Sequence, residues 1–265
     1  MKMSIQTGLA ALALTFMAAE AAAVQGIITM PNGSKREGDI KWVVRDKVYS
    51  IVEKGRPIEM QLKPEEIADL QIPRPRELDA AIESIRQGSA AAAVPVLEKL
   101  AADYLMLQWD KPATRYLAEA HVQAGNADKA IAVCEKVIAA NPEAAYLGEM
   151  APAYWQALIK RDRLSKVEDL LSKAIKTGDR LASANALIAR GDLVQAAGDT
   201  AEIAKKALRD GYLRVITLYK SERAAQPEAL FKAAKCFEKL GQTQRADQLR
   251  TTLKGEFGSS EWAKK

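Results

Sequence analysis

The sequence predicts a mainly α protein: an α-solenoid of about five helical hairpins, preceded by a small β-barrel-like domain. Three observations carry this. Turn signals recur at Gly88, Gly125, Asp162, Gly198 and Gly241, with spacings of 37, 37, 36 and 43 residues. A period in this range marks stacked supersecondary units, each unable to bury its apolar face alone. Within residues 113–142, ATRYLAEAHVQAGNADKAIAVCEKVIAANP, small residues (Ala118, Ala130) stand where two helix backbones would cross, Gly125 releases the chain from the first helix, and Pro142 stops the second. From Gly26 to Ile72 the apolar residues instead alternate with period two, the mark of half-buried strands.

Taken in order, the chain opens with Lys2, an apolar run from Gly8 to Ala19 and Ala21-Ala22-Ala23. The run has 12 residues, short of the roughly 20 that cross a bilayer, so residues 1–23 read as a secretory signal peptide cut after Ala23. No cysteine near the cut could take a lipid. The mature chain is therefore expected in a periplasmic or secreted setting, without membrane insertion.

Residues 24–72 are expected to form the small β domain. Its strands contain Ile28 and Met30; Ile40, Trp42 and Val44; Tyr49 and Ile51; and Ile58, Met60 and Leu62, with Leu70 to Ile72 adding a fifth. The turns fall at Pro31-Asn32-Gly33-Ser34, Arg45-Asp46-Lys47 and Lys54-Gly55-Arg56-Pro57. So small a sheet, without disulfide or metal, is expected to lean one face on the helical domain. Residues 73–76 form a linker, because alternating prolines forbid both ladder and helix. Everything after it, residues 77–265, reads as helical repeats. The fourth unit is the longest, and its second helix is expected from Ala201 to about Ser221.

The positions of Ala118, Gly125, Ala130 and Pro142 resemble the tetratricopeptide repeat. The first unit fits through Ala81, Gly88, Ala93 and Leu97, and the last through Ala234, Phe237, Gly241, Ala246 and Leu253. The third departs: Trp155 stands where a small residue packs, and Asp162 replaces the turn glycine. Either its register is shifted or its two helices are splayed, and residues 148–180 are expected to exchange amide hydrogens fastest. The closing stretch FGSSEWAKK resembles the end of tetratricopeptide proteins of the bacterial cell envelope, with Gly258 in place of their proline. The run GIITMPNGSKREGDIKW resembles the opening of Sm-like or Src-homology-3-like small barrels, with Gly38 permitting a sharp bend.

Composition excludes several chemistries. His121 is the only histidine, which rules out zinc held on several imidazoles and leaves a Ser-His-Asp triad with one candidate. It is expected to be a packed or partly exposed structural residue. Cys134 and Cys236, the two cysteines, belong to units that do not touch, so they are expected to stay unbridged, with Cys134 buried and Cys236 partly exposed. Adjacent acids such as Glu65-Glu66 and Glu168-Asp169 point apart on a helix and form no catalytic pair. No glycine-rich phosphate loop is present. The net charge of +5 is spread among interspersed acids and bases, which does not point to nucleic acid. Packing is the expected role of at least three of Trp42, Trp109, Trp155 and Trp262. No enzyme and no cofactor are expected.

The tetratricopeptide resemblance implies a ligand-binding concave face lined by the first helix of each pair. The residues it implies there are Arg115, Glu119 and Gln123 in unit two, Gln156 and Lys160 in unit three, Asp192 and Gln195 in unit four, and Phe231 and Lys235 in unit five. The face lacks the repeated lysine-asparagine set that grips a terminal carboxylate in chaperone-binding members. The expected function is an exported, non-enzymatic scaffold or adaptor that binds an extended peptide or an envelope protein. The alternative is an accessory structural subunit of an envelope assembly or transport complex. The same face could equally be a solvated surface.

Overall fold

A computed structural model describes residues 22–265. The expected signal peptide, residues 1–23, lies outside the described residues except for Ala22 and Ala23.

Strands β1 (Val24–Thr29), β2 (Lys35–Val43), β3 (Val48–Glu53), β4 (Glu59–Leu62) and β5 (Asp69–Gln71) form one antiparallel sheet in the order β4-β3-β2-β1-β5. Alternation sets the register: Ile40 pairs with Val24 on one side and Ile51 on the other. Ile28, Ile40 and Ile51 thereby share one fully buried face.

The sheet is open, which corrects the expectation of a barrel. Among the described residues β4 and β5 do not pair with each other. Closure needs a matching ladder between edge strands, and these have four and three residues. The exposed side of the core is filled from the helical part instead. The helical run expected after Arg76 breaks at Tyr104–Trp109, and this loop packs Leu107, fully buried, against Ile28, Ile40, Ile51, Leu62 and Ile72. Gln108 accepts from Ile72 N at 3.1 Å and donates to Leu70 O, while Trp109 Nε1 donates to Ile72 O at 2.9 Å. These bonds occupy one outer carbonyl of β5, at Leu70, and both backbone groups of Ile72 just beyond it, which blunts an edge open to pairing with another chain. Met106 and Gln108 adopt positive φ, 61° and 73°, to aim the loop. The sheet therefore leans on the helical domain, through one loop.

Five hairpins follow. Unit one is α1 (Arg76–Arg86) with α2 (Ala90–Asp103), unit two α3 (Asp110–Gln123) with α4 (Ala127–Ala140), and unit three α5 (Ala151–Lys160) with α6 (Leu164–Lys176). Unit four pairs α7 (Arg180–Ala196) with a helix running through α8 (Ala201–Ala207), a π-helical turn (Leu208–Tyr212) and α9 (Leu213–Leu218). Unit five is α10 (Gln226–Lys239) with α11 (Thr243–Phe257), followed by a 3-10 turn, Glu261–Lys264. In unit four Asp179 and Thr200 accept from Ala182 N at 2.7 Å and Ile203 N at 3.3 Å, capping α7 and α8.

Each hairpin turns on one left-handed residue: Gly88, Gly125, Asp162, Gly198 and Gly241 all have positive φ. Asp162, at 53°, takes the conformation glycine takes elsewhere, which Asp tolerates better than most residues. The crossing residues stand at constant distances from these turns. Seven residues before them lie Ala81, Ala118, Trp155, Gly191 and Ala234. The fourth residue of each second helix is Ala93, Ala130, Val167, Ala204 or Ala246. Unit three is the one with a large residue at both, and its two backbones stay further apart than those of unit two. Its register is not shifted; its helices are splayed.

Trp155 is nevertheless no packing defect. It is fully buried and donates from Nε1 to Ala145 O at 2.9 Å. Seven residues of the ten-residue α5 are buried in the cluster that joins units two, three and four.

Candidate functional site

A polar file runs along the concave side of the first helices. Glu119, Gln156, Asp192 and Lys235 each stand six residues before the turn of their own unit, next to the crossing residue that goes into the core. In unit one the same position holds buried Ile82, so the file begins at unit two. All nine residues that the sequence places on this face lie on these helices, and the structure joins four of them, Arg115, Glu119, Gln156 and Asp192, into two networks.

At one end, Arg115 Nε meets Glu119 Oε1 at 3.0 Å and Arg115 Nη1 meets Glu149 Oε2 at 3.1 Å. Burial raises the pKa of Glu119, against the pull of Arg115; the carboxylates of Glu261 and Glu228 raise it further. Burial works against the charge of Arg115, but Glu119, Tyr116 and Glu149 together outweigh it and leave the pKa raised. Glu228 and Glu261 belong to unit five and the C-terminal turn. The acid balance there is tilted toward carboxylate, because Arg115 already serves two acids.

The second network centres on Asp192. It accepts from Gln156 Nε2 on α5, from Tyr212 Oη at 2.7 Å and from Lys232 Nζ at 2.6 Å, and Lys232 also meets Glu228 at 2.5 Å. Burial disfavours the Lys232 ammonium, but Glu228 and Asp192 outweigh it and its pKa is raised. Burial, reinforced by the Asp192 charge, pushes the Tyr212 hydroxyl up as well, so it stays a donor. Three first helices are thereby tied side to side through one carboxylate.

Gln123, Lys160, Gln195 and Lys235 stay exposed along the face. Gln195 also donates to Cys236 Sγ. Phe231 is buried, because the indole of Trp262 covers it at 5.3 Å between ring centres.

Sequence reasoning missed Lys232, Tyr212, Glu149 and Trp262. Lys232 lies one residue from an expected position, and the 100° step along a helix puts it on the edge that faces α7. Tyr212 arrives from a second helix, through the π-helical turn, which no local pattern announces. His121 is buried, with Nδ1 unpartnered, and burial lowers its pKa. Both cysteines are free and buried, which corrects the partial exposure expected of Cys236; burial pushes the thiols up to about 12 at Cys134 and about 11 at Cys236. Neither is a ready nucleophile near neutral pH.

The Tetratricopeptide repeat family matches residues 115–144 and 228–254, which cover most of α3–α4 and α10–α11. These two matches, with the stacked hairpins between them, support a tetratricopeptide repeat protein. No curated protein and no solved structure matches the chain. Repeats of this family mediate protein–protein interaction and are typically non-catalytic. That fits a scaffold or adaptor with protein partners.

Proposed function

We propose that the chain is an exported scaffold that holds an extended protein segment along the concave face of its repeats. The observation that carries this reading is the polar file Glu119, Gln156, Asp192 and Lys235, one residue per unit at the same repeat position, on helices whose neighbouring positions are core. A solenoid that only filled space would have no need of that repetition. The exposed residues of the face, Gln123, Lys160, Gln195 and Lys235, supply donors and acceptors from four successive units to a segment laid along it. The short apolar leader supports export to the periplasm or beyond, with a small sheet anchored on the loop between units one and two.

The accessory-subunit reading has one observation in its favour: Arg115, Glu119, Gln156 and Asp192 spend their polar atoms on one another. Capture from envelope extract separates the two. Lys160 and Lys235 are exposed and make no ion pair among the described residues, so Lys160→Glu with Lys235→Glu leaves the fold intact. The double variant is expected to retain partner about tenfold less, with an unchanged melting temperature. If capture survives it but is lost on Val44→Ser with Ile58→Ser, which alter two exposed apolar residues in the turns of the β domain, the β domain binds and the repeats are a spacer.

A further inference from the structure

The last eight residues do not trail away from the repeats. After α11 the chain turns back, Ser260 N donating to Phe257 O at 2.9 Å, and Ser260 Oγ caps the closing 3-10 turn by accepting from Ala263 N at 3.2 Å. This places Trp262 against Phe231 and beside Lys232, whose ammonium lies 5.6 Å from the indole centre. Leu230, Phe231 and Leu253 form the buried floor under it. Phe231 occupies in unit five the position that Arg115 occupies in unit two, ten residues before the turn. The tail therefore lies on the ligand-facing side of α10.

Its attachment is unusual for a terminal cap. Among the described residues no hydrogen bond or ion pair joins residues 259–265 to α10; the polar bonds of the tail are internal or run to Phe257 at the end of α11. The indole is half-buried and Nε1 has no partner among the described residues. What holds the segment is the Trp262 indole, with Ala263 beside it, on an apolar floor; Lys235 lies 4.7 Å over the Phe231 ring, and the tail's own Lys265 lies 3.8 Å over the indole. That is the chemistry of an aromatic-binding subsite.

We infer that the concave face of α10 is an aromatic-accepting subsite, filled in cis by Trp262, and that the segment it takes in trans carries a tryptophan or phenylalanine that displaces Trp262. The inference rests on the groove reading above and names the chemistry of one subsite of it. A tethered occupant competes at an effective concentration of about a millimolar, so the subsite is masked in the resting chain and opens only to a ligand with further contacts along the groove.

The test uses the full chain and a labelled synthetic peptide with the sequence of residues 258–265 as probe. Trp262→Ala in the full chain is expected to bind this probe at least tenfold more tightly than the unaltered chain does. A probe with alanine in place of tryptophan should bind neither, and adding Phe231→Ser should abolish the gain. Equal binding to both chains, or a gain indifferent to Phe231→Ser, overturns the inference. Should Trp262→Ala lose helicity, the unaltered chain labelled with 5-fluorotryptophan decides: saturating probe must move the Trp262 fluorine resonance toward its solvent-exposed position, and an unmoved resonance overturns the subsite. The probe needs no native partner. A silent probe with partner capture still sensitive to Lys160 and Lys235 leaves the groove standing without this subsite, and the reverse outcome removes the groove reading alone.

Discussion

Units two and three span the same 37 residues from turn to turn and use the same left-handed turn, yet their helices meet through side chains of opposite size. In unit two Ala118 faces the crossing with Ala130. In unit three Trp155 and Val167 stand at those places, the helices part, and the indole fills the space while its N–H reaches the carbonyl of Ala145. Unit four is the other extreme: a Cβ on Gly211 would lie 2.7 Å from the backbone of Gly191, and the π-helical turn carries the second helix around this close point. The repeat is thus defined by its turn and its length, while the crossing distance is free to vary from unit to unit. Varying it changes the curvature of the concave face, which lets Gln156, Asp192 and Lys232 converge from three helices.

The comparison breaks most directly at Trp155. Replacing it by alanine removes the spacer and strips Ala145 O of its donor, and the splayed helices cannot collapse onto the void without moving units two and four. We expect a loss of about 3–5 kcal/mol in urea denaturation, the range for truncating a large buried aromatic. A loss below about 1 kcal/mol would mean that unit three closes up as unit two does, and that its spacing does not depend on the indole.

Gly211→Ala tests the opposite extreme, and its sign is informative. In an ordinary helix this change stabilises by about 0.5–1 kcal/mol. Here the new Cβ would lie 2.7 Å from Gly191 Cα, Gly191 N and Leu187 O, all backbone atoms that cannot swing aside. A net loss of about 1–3 kcal/mol is expected from overpacking, read from the same denaturation curves. A gain would show that the two helices of unit four have room to separate.

Much of this was legible in the sequence, for local reasons. The turns declare themselves because only glycine, or a tolerant residue such as Asp162, sits comfortably at positive φ. Ala118 and Ala130 were readable because a close crossing admits few residue types, and the strands because alternation is forced by the pleat. Gly191 and Gly211 also carried a signal, as glycines inside helical stretches that otherwise read continuously. The long-range features left no such trace. Leu107 could have belonged to any apolar helix face, and its place in the core of the sheet depends on the left-handed Met106 and Gln108 beside it, residue types that do not advertise that conformation. The sheet reads like a small barrel because strand order and glycines are barrel-like; its failure to close is decided by that loop, about 35 residues further on. At the concave face, single positions could be placed by repeat register, but their pairing through Asp192 and the covering of Phe231 by Trp262 depend on how the units curl.

The smallest effect separates units two and three by pH. His121, on α3, is buried with an unpartnered Nδ1; burial lowers its pKa, Lys129 adds to the lowering and Glu98 opposes it. The unfolded chain therefore takes up the proton first, near the ordinary value of about 6.5. The contribution of neutral His121 to stability is complete above that value and is lost as pH falls through it toward the lower folded value. Glu119, on the same helix, works in the opposite sense: its raised pKa favours the folded chain below the ordinary carboxylate range, a benefit lost as pH rises through the folded value. Comparing the chain with its His121→Leu variant isolates the histidine, since Glu119 is common to both. Amide exchange should then accelerate in α3 and α4 as pH is lowered from 7.5 through 6, after correction for intrinsic rates, and α5 and α6 should change less. In the leucine variant that difference should vanish. Equal acceleration in both units would show that the hairpins open together and that pH acts on the whole array; no acceleration in either would show that protonated His121 finds a partner, most readily Glu98, without unit two coming apart.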